Sequence, residues 1–301
     1  MSTPAWIRPA TLKEALTMRR DYNARPLAGA TDIYVRHRAA TGTLPPLEDR
    51  PVLYVGHLPE LTSISEDGKG WLRIGAATVY TDILEHPDTP LLLRRAIEEL
   101  AAPALRNAGT LGGNIGNASP AADAVCALYA LHAEVDLAGH AGERRVPIAQ
   151  LITGPGKTTV GADELITAVS VPMDRPGSFH YYRKAGTRRA NALSKIAFCA
   201  GGTVLEGRLT GLGVAVGAVG PTIVHSRDLE VRAEGSDLAR YRKLQQEESA
   251  PGGFLTARYM ALISPISDQR STDAYRRRVT ENLLRDLFER TIPTLLSGKA
   301  G

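Results

Sequence analysis

The stretch TLGGNIGNASPAAD, from Thr110 to Asp123, constrains the fold of this chain more than any other segment. Three of its first seven residues are glycine, so the backbone can turn and approach a partner where a side chain would collide. Short polar side chains accompany them: Thr110, Asn114, Asn117 and Ser119. Such a cluster alone is more often a structural turn than a binding site. A functional interpretation therefore needs a second signal.

The second signal is PLAGATDI, residues 26–33. Small residues at 28–30 allow a ligand to approach the backbone, and the amides of the helical turn predicted from Asp32 to Arg38 suit an anion such as a pyrophosphate. Alanine is expected at position 30 only if its φ is negative. Both glycine-containing segments are therefore candidate binding loops.

Composition excludes several classes of function. The net charge is +4 but aromatic residues make up only 5%, and no dense basic stripe is visible, so we predict no nucleic-acid binding. Cys126 and Cys199 form no CxxC cluster and lie in apolar surroundings, which predicts buried, inert thiols. There is no leader-like apolar segment and no membrane-length apolar run, which predicts a cytoplasmic protein that does not bind membranes.

Periodicity and turn signals predict an α+β protein. Predicted helices are 11–22, opened by a capping box at Thr11–Glu14, then 91–102, 121–133 with Ser119 as cap and Pro120 first, and 272–292. Predicted strands are 52–55, 72–76, 134–138, 145–148, 165–171, 179–185, 195–205 and 209–217. In the last helix, Tyr275, Val279, Leu283, Leu287 and Phe288 are predicted to face the core.

One motif-like segment and the spacing of the histidines give no support for a phosphate or metal site. GPGKT at 154–158 lacks the glycine that a phosphate-binding P-loop needs at position 151, which is Leu151, so we predict a structural loop. The seven histidines form no HxH or HxxxH pair, so we predict no metal site and no metal ligand.

Taken together, TLGGNIGNASPAAD, LAGATDI, TGPGKT, YRKAGTRRANALSKIAF and ISPISDQRSTDAYRRR resemble, in order and spacing, the FAD-binding medium subunit of molybdenum hydroxylases, the xanthine dehydrogenase and carbon monoxide dehydrogenase family. The resemblance spans about residues 4–290. It implies a two-lobed PCMH-type FAD-binding domain at 1–176, with lobes at about 1–56 and 57–176. A C-terminal α/β domain of the CO dehydrogenase flavoprotein type then follows at 177–295.

The resemblance also implies which residues contact FAD. They are Leu27, Ala28, Gly29, Ala30, Thr31, Asp32, Ile33, Leu100, Thr110, Leu111, Gly112, Gly113, Asn114, Asn117, Asp123, Ile166 and Lys184. Segments 27–33 and 110–114 would bind the pyrophosphate. Asn117 and Asp123 would bind hydroxyls, and Leu100 would lie near the isoalloxazine.

Two further contacts follow from the same resemblance. Ile166 would touch the ring system or the adenine end of FAD. Lys184 would lie near the flavin, where a positive charge would raise the reduction potential. No catalytic side chain is expected, because the cofactor supplies the redox chemistry.

The implied function is electron transfer within a complex. A large molybdopterin subunit would hydroxylate substrate, and a small subunit with [2Fe-2S] clusters would pass electrons to FAD in this chain. The acceptor would be NAD⁺, oxygen or a carrier, and the assembly a dimer of heterotrimers. Two alternatives remain open: a non-redox nucleotide-binding or assembly subunit, and a free-standing flavin oxidase.

Overall fold

A computed structural model describes residues 6–33, 50–188, 191–248 and 251–298. The helical turn predicted at Asp32–Arg38 lies mostly outside these residues. The chain forms two compact units. Of the described residues, unit 1 comprises 6–33, 50–89, 101–118 and 133–172, and unit 2 comprises 90–100, 119–132, 173–188, 191–248 and 251–298.

The described residues contain both helices and strands, which confirms the α+β class. The strands are β1 (Trp6–Ile7), β2 (Arg25–Leu27), β3 (Val52–Tyr54), β4 (Ile64–Glu66), β5 (Trp71–Gly75), β6 (Glu134–Gly139), β7 (Gly142–Pro147), β8 (Ile152–Gly154), β9 (Lys157–Thr158), β10 (Leu165–Pro172), β11 (Ser178–Ala185), β12 (Ile196–Leu205), β13 (Arg208–Gly217) and β14 (Val224–His225). The helices are α1 (Leu12–Tyr22), α2 (Pro59–Thr62), α3 (Tyr80–Glu85), α4 (Leu91–Glu98), α5 (Pro103–Arg106), α6 (Leu111–Asn117), α7 (Asp123–Ala130), α8 (Ile148–Leu151), α9 (Arg227–Ala233), α10 (Leu238–Gln245), α11 (Gly253–Leu262), α12 (Asp273–Arg285), a π-helical segment (Asp286–Thr291) and α13 (Ile292–Leu296).

Unit 1 contains a small parallel sheet and a larger antiparallel sheet. The parallel sheet has the order β1-β3-β2, and the antiparallel sheet has the order β4-β5-β10-β6-β7. The β6–β7 hairpin pairs Glu134 with Pro147, which confirms the predicted hairpin. Segment 154–158 lies in a second, two-stranded hairpin formed by β8 and β9, as expected for a structural loop.

Unit 2 is built on the antiparallel sheet β11-β12-β13-β14. One face carries large apolar side chains, such as Phe198 and Val214, that pack with the C-terminal helices. The opposite face contacts α4 and α7 and carries small residues. A Cβ added at Gly213 would lie 1.9 Å from the carbonyl oxygen of Ala130, so glycine is required where α7 meets the sheet.

This packing explains why the compact units differ from the boundary predicted at residue 176. Helices α4 and α7 precede that boundary in the sequence, yet they bury apolar side chains against the sheet of unit 2. Cys126 in α7 and Cys199 in β12 are buried free thiols, as predicted, and the Cys126 thiol donates to the carbonyl of Ala197 at 3.5 Å.

Of the two predicted N-terminal caps, at Thr11 and Ser119, one is confirmed and one is wrong. The Thr11 hydroxyl accepts from the amide of Glu14 at 3.2 Å, so the predicted first cap is confirmed, although the Glu14 carboxylate accepts from Ala10. The cap predicted at Ser119 is wrong, because α7 begins at Asp123 with Ala122 as its N-cap. No helix in the described part of the chain is long and apolar enough to cross a bilayer.

The predicted core face of the last helix is wrong at Tyr275, whereas Val279 and Leu283 pack against the core as predicted. Tyr275 is 43% exposed, whereas Arg276 is 2% exposed. The Arg276 guanidinium donates to the carbonyls of Lys195 and Ala218 at 3.0 and 2.7 Å and pairs with Asp268 at 2.8 Å. These partners offset the cost of burying the charge. The π-helical segment then continues the helix to a stretch where Leu287 and Phe288 are buried, as predicted.

Candidate functional site

The bend that follows β2 is shaped by a close backbone contact at Gly29. A Cβ added to Gly29 would lie 1.9 Å from the carbonyl oxygen of Ala108. A Cβ added to Gly109 would lie 3.3 Å from the hydroxyl oxygen of Thr31. The two glycine-containing segments predicted from sequence are therefore neighbours in unit 1.

The amide groups of this bend are available for a ligand. The N–H groups of Gly29, Ala30 and Thr31 donate no hydrogen bond to any described residue. The side chains of Ala30 and Ile33 instead pack against the small apolar cluster of Leu27 and Val52. The side chains of Ala30 and Ile33 thus face the apolar cluster, and the three backbone donors have no partner in the part of the chain that the structure describes.

Ala30 adopts a backbone conformation that the sequence analysis excluded. Its φ is +56°, in the left-handed region that an L-residue enters at a cost of about 1–2 kcal/mol. The expectation of a negative φ is wrong. The contact of Ala30 with the Leu27 cluster favours retaining a methyl group at this position.

The second glycine-rich segment is a helix and not a loop. Helix α6 begins after Thr110, whose hydroxyl accepts from the amide of Gly113 at 3.2 Å. A Cβ at Gly112 would lie 2.6 Å from the Cβ of Ala76, so this glycine permits close packing. Gly113 and Gly116 are exposed, and they give α6 an open, side-chain-free face.

Most amides at the start of α6 already have partners within unit 1. Leu111 donates to the carbonyl of Thr78 at 3.3 Å, and Gly112 donates to that of Ala76 at 2.8 Å. Asn114 donates to the carbonyl of Thr110 at 3.0 Å. What α6 offers a ligand is therefore its side chains and its open glycine face, whereas free backbone donors come from the bend at Gly29–Thr31.

Asn114 carries an unpaired polar atom. Its Oδ1 is buried and makes no hydrogen bond to any described residue. A buried amide oxygen without a partner costs about 1–3 kcal/mol, so a water molecule or a ligand that donates to Asn114 Oδ1 is favoured. Asn117 lies one turn further along α6 and is half-buried. Ile166 of β10 is beside the open face, since its Cδ1 would lie 3.9 Å from a Cβ at Gly116.

In unit 2, Asp123 and Lys184 form a buried ion pair. Asp123 begins α7, Lys184 lies near the end of β11, and Lys184 Nζ is 2.8 Å from Asp123 Oδ2. Their side chains are 7% and 4% exposed. The Ser194 hydroxyl donates to Asp123 Oδ1, and Lys184 also donates to the carbonyl of Glu99 at 2.8 Å.

Burial raises the pKa of Asp123, and the Lys184 ammonium and the Ser194 hydroxyl oppose that shift by favouring the carboxylate. Both carboxylate oxygens are thus occupied by protein donors. Sequence reasoning missed Ser194 and the Glu99 carbonyl, for which the sequence carries no local signal. Leu100, which follows α4 in the same unit, is half-buried, and its amide donates to the carbonyl of Ile97.

The comparisons with known proteins cover almost the whole chain. Residues 2–174 match the model for the FAD binding domain in molybdopterin dehydrogenase, and residues 180–291 match that for the CO dehydrogenase flavoprotein C-terminal domain. The xanthine dehydrogenase FAD-binding subunit of Escherichia coli O157:H7 is 28% identical, covering 95% of this chain and 94% of that protein.

Two further relatives extend the comparison. The glyceraldehyde dehydrogenase medium chain of Sulfolobus acidocaldarius is 28% identical over 95% of this chain and 97% of its own length. The CO dehydrogenase structure from Oligotropha carboxidovorans shares the fold, with a TM-score of 0.81 at 23% identity over 97% of this chain and 98% of that one. The chain therefore belongs to the family of FAD-binding subunits of molybdenum hydroxylases, as the sequence resemblance predicted.

Proposed function

We propose that this chain is the electron-transfer subunit of a molybdenum hydroxylase complex, taking electrons from [2Fe-2S] clusters of a small subunit and passing them to NAD⁺ or another acceptor. A large molybdopterin subunit would complete each heterotrimer, and two heterotrimers would form the assembly. The observation that carries the proposal is that unit 1 holds both the Gly29–Thr31 amides and the buried Asn114 oxygen, none of which has a hydrogen-bond partner among the described residues.

These groups fit the chemistry of FAD. A pyrophosphate is an anion that accepts several hydrogen bonds, and successive free amides in a bend bind such anions well. Asn114 offers both an amide acceptor and an amide donor, and a ribityl or ribose hydroxyl can donate to its unpaired oxygen. The exposed glycines of α6 leave room for a ligand to lie against the backbone.

When bound, FAD would supply the chemistry that joins single-electron donors to a two-electron acceptor. The residues of this chain would bind and orient it. The apolar contacts of Ala30 and Ile33 hold the amides of the first bend in place. The packing of Gly112 on Ala76 fixes the helix that carries Asn114 and Asn117.

The remaining predicted FAD contacts are proposals that rest on the family resemblance: Leu27, Ala28, Asp32, Leu100, Thr110, Leu111, Gly113, Asn117, Asp123, Ile166 and Lys184. For Lys184 the structure supports a modified role. An ammonium paired with a carboxylate at 2.8 Å exerts a weaker field on a third group than an isolated one, because the opposite charge cancels much of it. We infer that Lys184 mainly positions Asp123 and the first turn of α7.

The test measures FAD binding by the full-length chain from which flavin has been removed, and the change in flavin fluorescence reports the binding. Asn114→Ala is expected to weaken FAD binding about tenfold, equal to about 1.4 kcal/mol, because it removes a hydrogen-bonding side chain from the site. The matched control Asn282→Ala changes an exposed asparagine of α12 and is expected to leave the affinity unchanged. Equal affinities for Asn114→Ala and the unchanged chain would refute this placement.

A second measurement separates electron transfer from scaffolding. NADH is added to the FAD-loaded complex without oxygen, and the visible absorbance of the flavin is followed. Bleaching supports the electron-transfer role with NAD⁺ as acceptor. If neither NADH nor the substrate of the molybdenum subunit bleaches the flavin, the chain acts as a nucleotide-binding or assembly subunit.

A further inference from the structure

Three potential metal ligands that are distant in the sequence meet at one end of α7 in unit 2. His132 follows that helix, His225 ends β14, and Glu230 lies in α9. One ligand atom from each side chain lies within 4.8 Å of the others. No local histidine pair in the sequence predicts this cluster, because its members come from three separate parts of the chain.

Two distances in the cluster are close to those between the ligands of a tetrahedral metal ion. Nε2 of His132 and Nε2 of His225 lie 2.9 and 3.3 Å from Oε2 of Glu230. Zinc bonds to histidine nitrogen and carboxylate oxygen are about 2.0–2.1 Å long, so neighbouring ligand atoms of a tetrahedron lie about 3.3–3.4 Å apart. Both nitrogen–oxygen distances are thus within about half an ångström of that value, and all three ligand atoms lie within 4.8 Å of one another.

The Glu230 carboxylate is held so that one oxygen faces the two histidines. Its Oε1 accepts from the amide of Val214 at 2.7 Å and from the Tyr259 hydroxyl at 3.3 Å. The side chain of Glu230 is fully buried, and hydrogen bonds to one oxygen orient a carboxylate for metal binding. A buried carboxylate of this kind requires a positive partner.

His225 adds an independent sign of a ligand. Its Nε2 is buried and makes no hydrogen bond to any described residue, although it is 3.3 Å from Glu230 Oε2. Its side chain is 12% exposed, and that of His132 is 29% exposed. The cluster thus combines a buried nitrogen that makes no hydrogen bond to a described residue with a partly exposed imidazole at His132.

The nearest cation leaves room for a metal ion. Arg227 Nη1 is 3.7 Å from Glu230 Oε2 but 2.9 Å from Oε1 of Glu234. Its side chain is 48% exposed, so it can keep the pair with Glu234 when an ion binds Glu230.

We propose that His132, His225 and Glu230 bind a divalent first-row transition-metal ion, with Zn²⁺ the best match to two imidazoles and one carboxylate. Three protein ligands leave a fourth position for water. The ion joins the end of α7 to β14 and α9, and so stabilises unit 2. The site is independent of the groups proposed to bind FAD.

The experiment compares four full-length chains after treatment with a chelator. They are the unchanged chain, His132→Asn, His225→Gln and the control His140→Asn, which removes an exposed histidine of unit 1. Asparagine is chosen at position 132 because the φ there is +51°, a conformation that asparagine accepts more readily than most residues. Zn²⁺ binding is measured by calorimetry, and thermal unfolding is measured with and without Zn²⁺.

The unchanged chain and His140→Asn are expected to bind one Zn²⁺ at this site. Their unfolding temperature is expected to rise by about 4 °C at a hundredfold excess over Kd. His132→Asn and His225→Gln are expected to weaken binding at least about tenfold and to lose this rise. The unfolding temperature of each chain without Zn²⁺ is measured in chelator, so any effect of a substitution on stability alone is known separately. Equal Zn²⁺ affinity in all four chains, or no rise in the unchanged chain, would overturn the proposal.

Discussion

The polar groups of the bend at Gly29–Thr31 and those around Asp123 differ in whether they have hydrogen-bond partners. The amides of the bend have no partners among the described residues, whereas both oxygens of Asp123 are bonded within unit 2, to Lys184 and Ser194. Donors without a partner favour a ligand that accepts from them, whereas a buried ion pair whose oxygens are all bonded needs no ligand, and removing one of its members is costly. We therefore propose that the bend binds the ligand and that the Asp123–Lys184 pair positions α7, although one family resemblance assigned both to FAD.

The largest expected effect tests whether Lys184 is structural. Lys184→Met is expected to lower the free energy of unfolding by about 4 kcal/mol, because it leaves Asp123 buried without its counter-ion. Urea denaturation followed by circular dichroism measures the change. Lys157→Met, which removes an exposed lysine in β9, is the control and is expected to change the stability by less than about 0.5 kcal/mol.

A double variant sharpens this prediction. Asp123→Asn combined with Lys184→Met removes both charges and is expected to lose less stability than Lys184→Met alone, because no unpaired charge remains buried. If Lys184→Met costs less than about 1 kcal/mol, the pair is not structural. Lys184 is then available to bind a ligand, and the bend and the Asp123–Lys184 pair no longer differ in role.

The next effect concerns the close contact of the bend with the segment before α6. Gly29→Ala is expected to lower the free energy of unfolding by about 2–3 kcal/mol and to weaken FAD binding, because the added methyl group would overlap the Ala108 carbonyl and displace the bend. Gly154→Ala, where the nearest atom would be 3.7 Å away, is the control. Unaltered FAD binding in a folded Gly29→Ala chain would show that the bend is not the binding element.

The smallest effect concerns the left-handed alanine. Ala30→Gly is expected to raise the free energy of unfolding by about 0.5 kcal/mol, since the relief of about 1–2 kcal/mol of backbone strain exceeds the entropic cost of glycine. Ala149→Gly, in α8, is expected to do the opposite and destabilise by about 1 kcal/mol. Chemical denaturation measures both, and a loss of stability in Ala30→Gly would mean that its methyl contact outweighs the strain.

Elements defined by local patterns could be predicted from the sequence. The capped helix at Leu12–Tyr22 and the hairpin of β6 and β7 follow from a capping residue and from turn signals within a few residues. Helix α6 was predicted as a loop because its three glycines disfavour a helix locally. The contact of Gly112 with Ala76, distant in sequence, reverses that preference.

The candidate site, too, could be predicted from the sequence only in part. Its two segments could be identified from small residues and short polar side chains, because glycine and asparagine carry their conformational and hydrogen-bonding properties wherever they stand. Which amides remain free could not be identified, because each donor's partner depends on the strand or helix that packs beside it. Arg276 shows the same limit: nothing local in the sequence indicates that it is buried, because the carbonyls that accept from it belong to residues distant in the chain, Lys195 and Ala218.

By itself, then, the sequence determined the α+β class, the family and the identity of the two candidate binding segments, since these depend on residue types and their order. Only the tertiary structure decided that Asp123 and Lys184 satisfy each other, that α7 belongs with the C-terminal sheet, and that His132, His225 and Glu230 converge. The physical reason is that burial and pairing arise between elements far apart in the chain, where no local pattern records them.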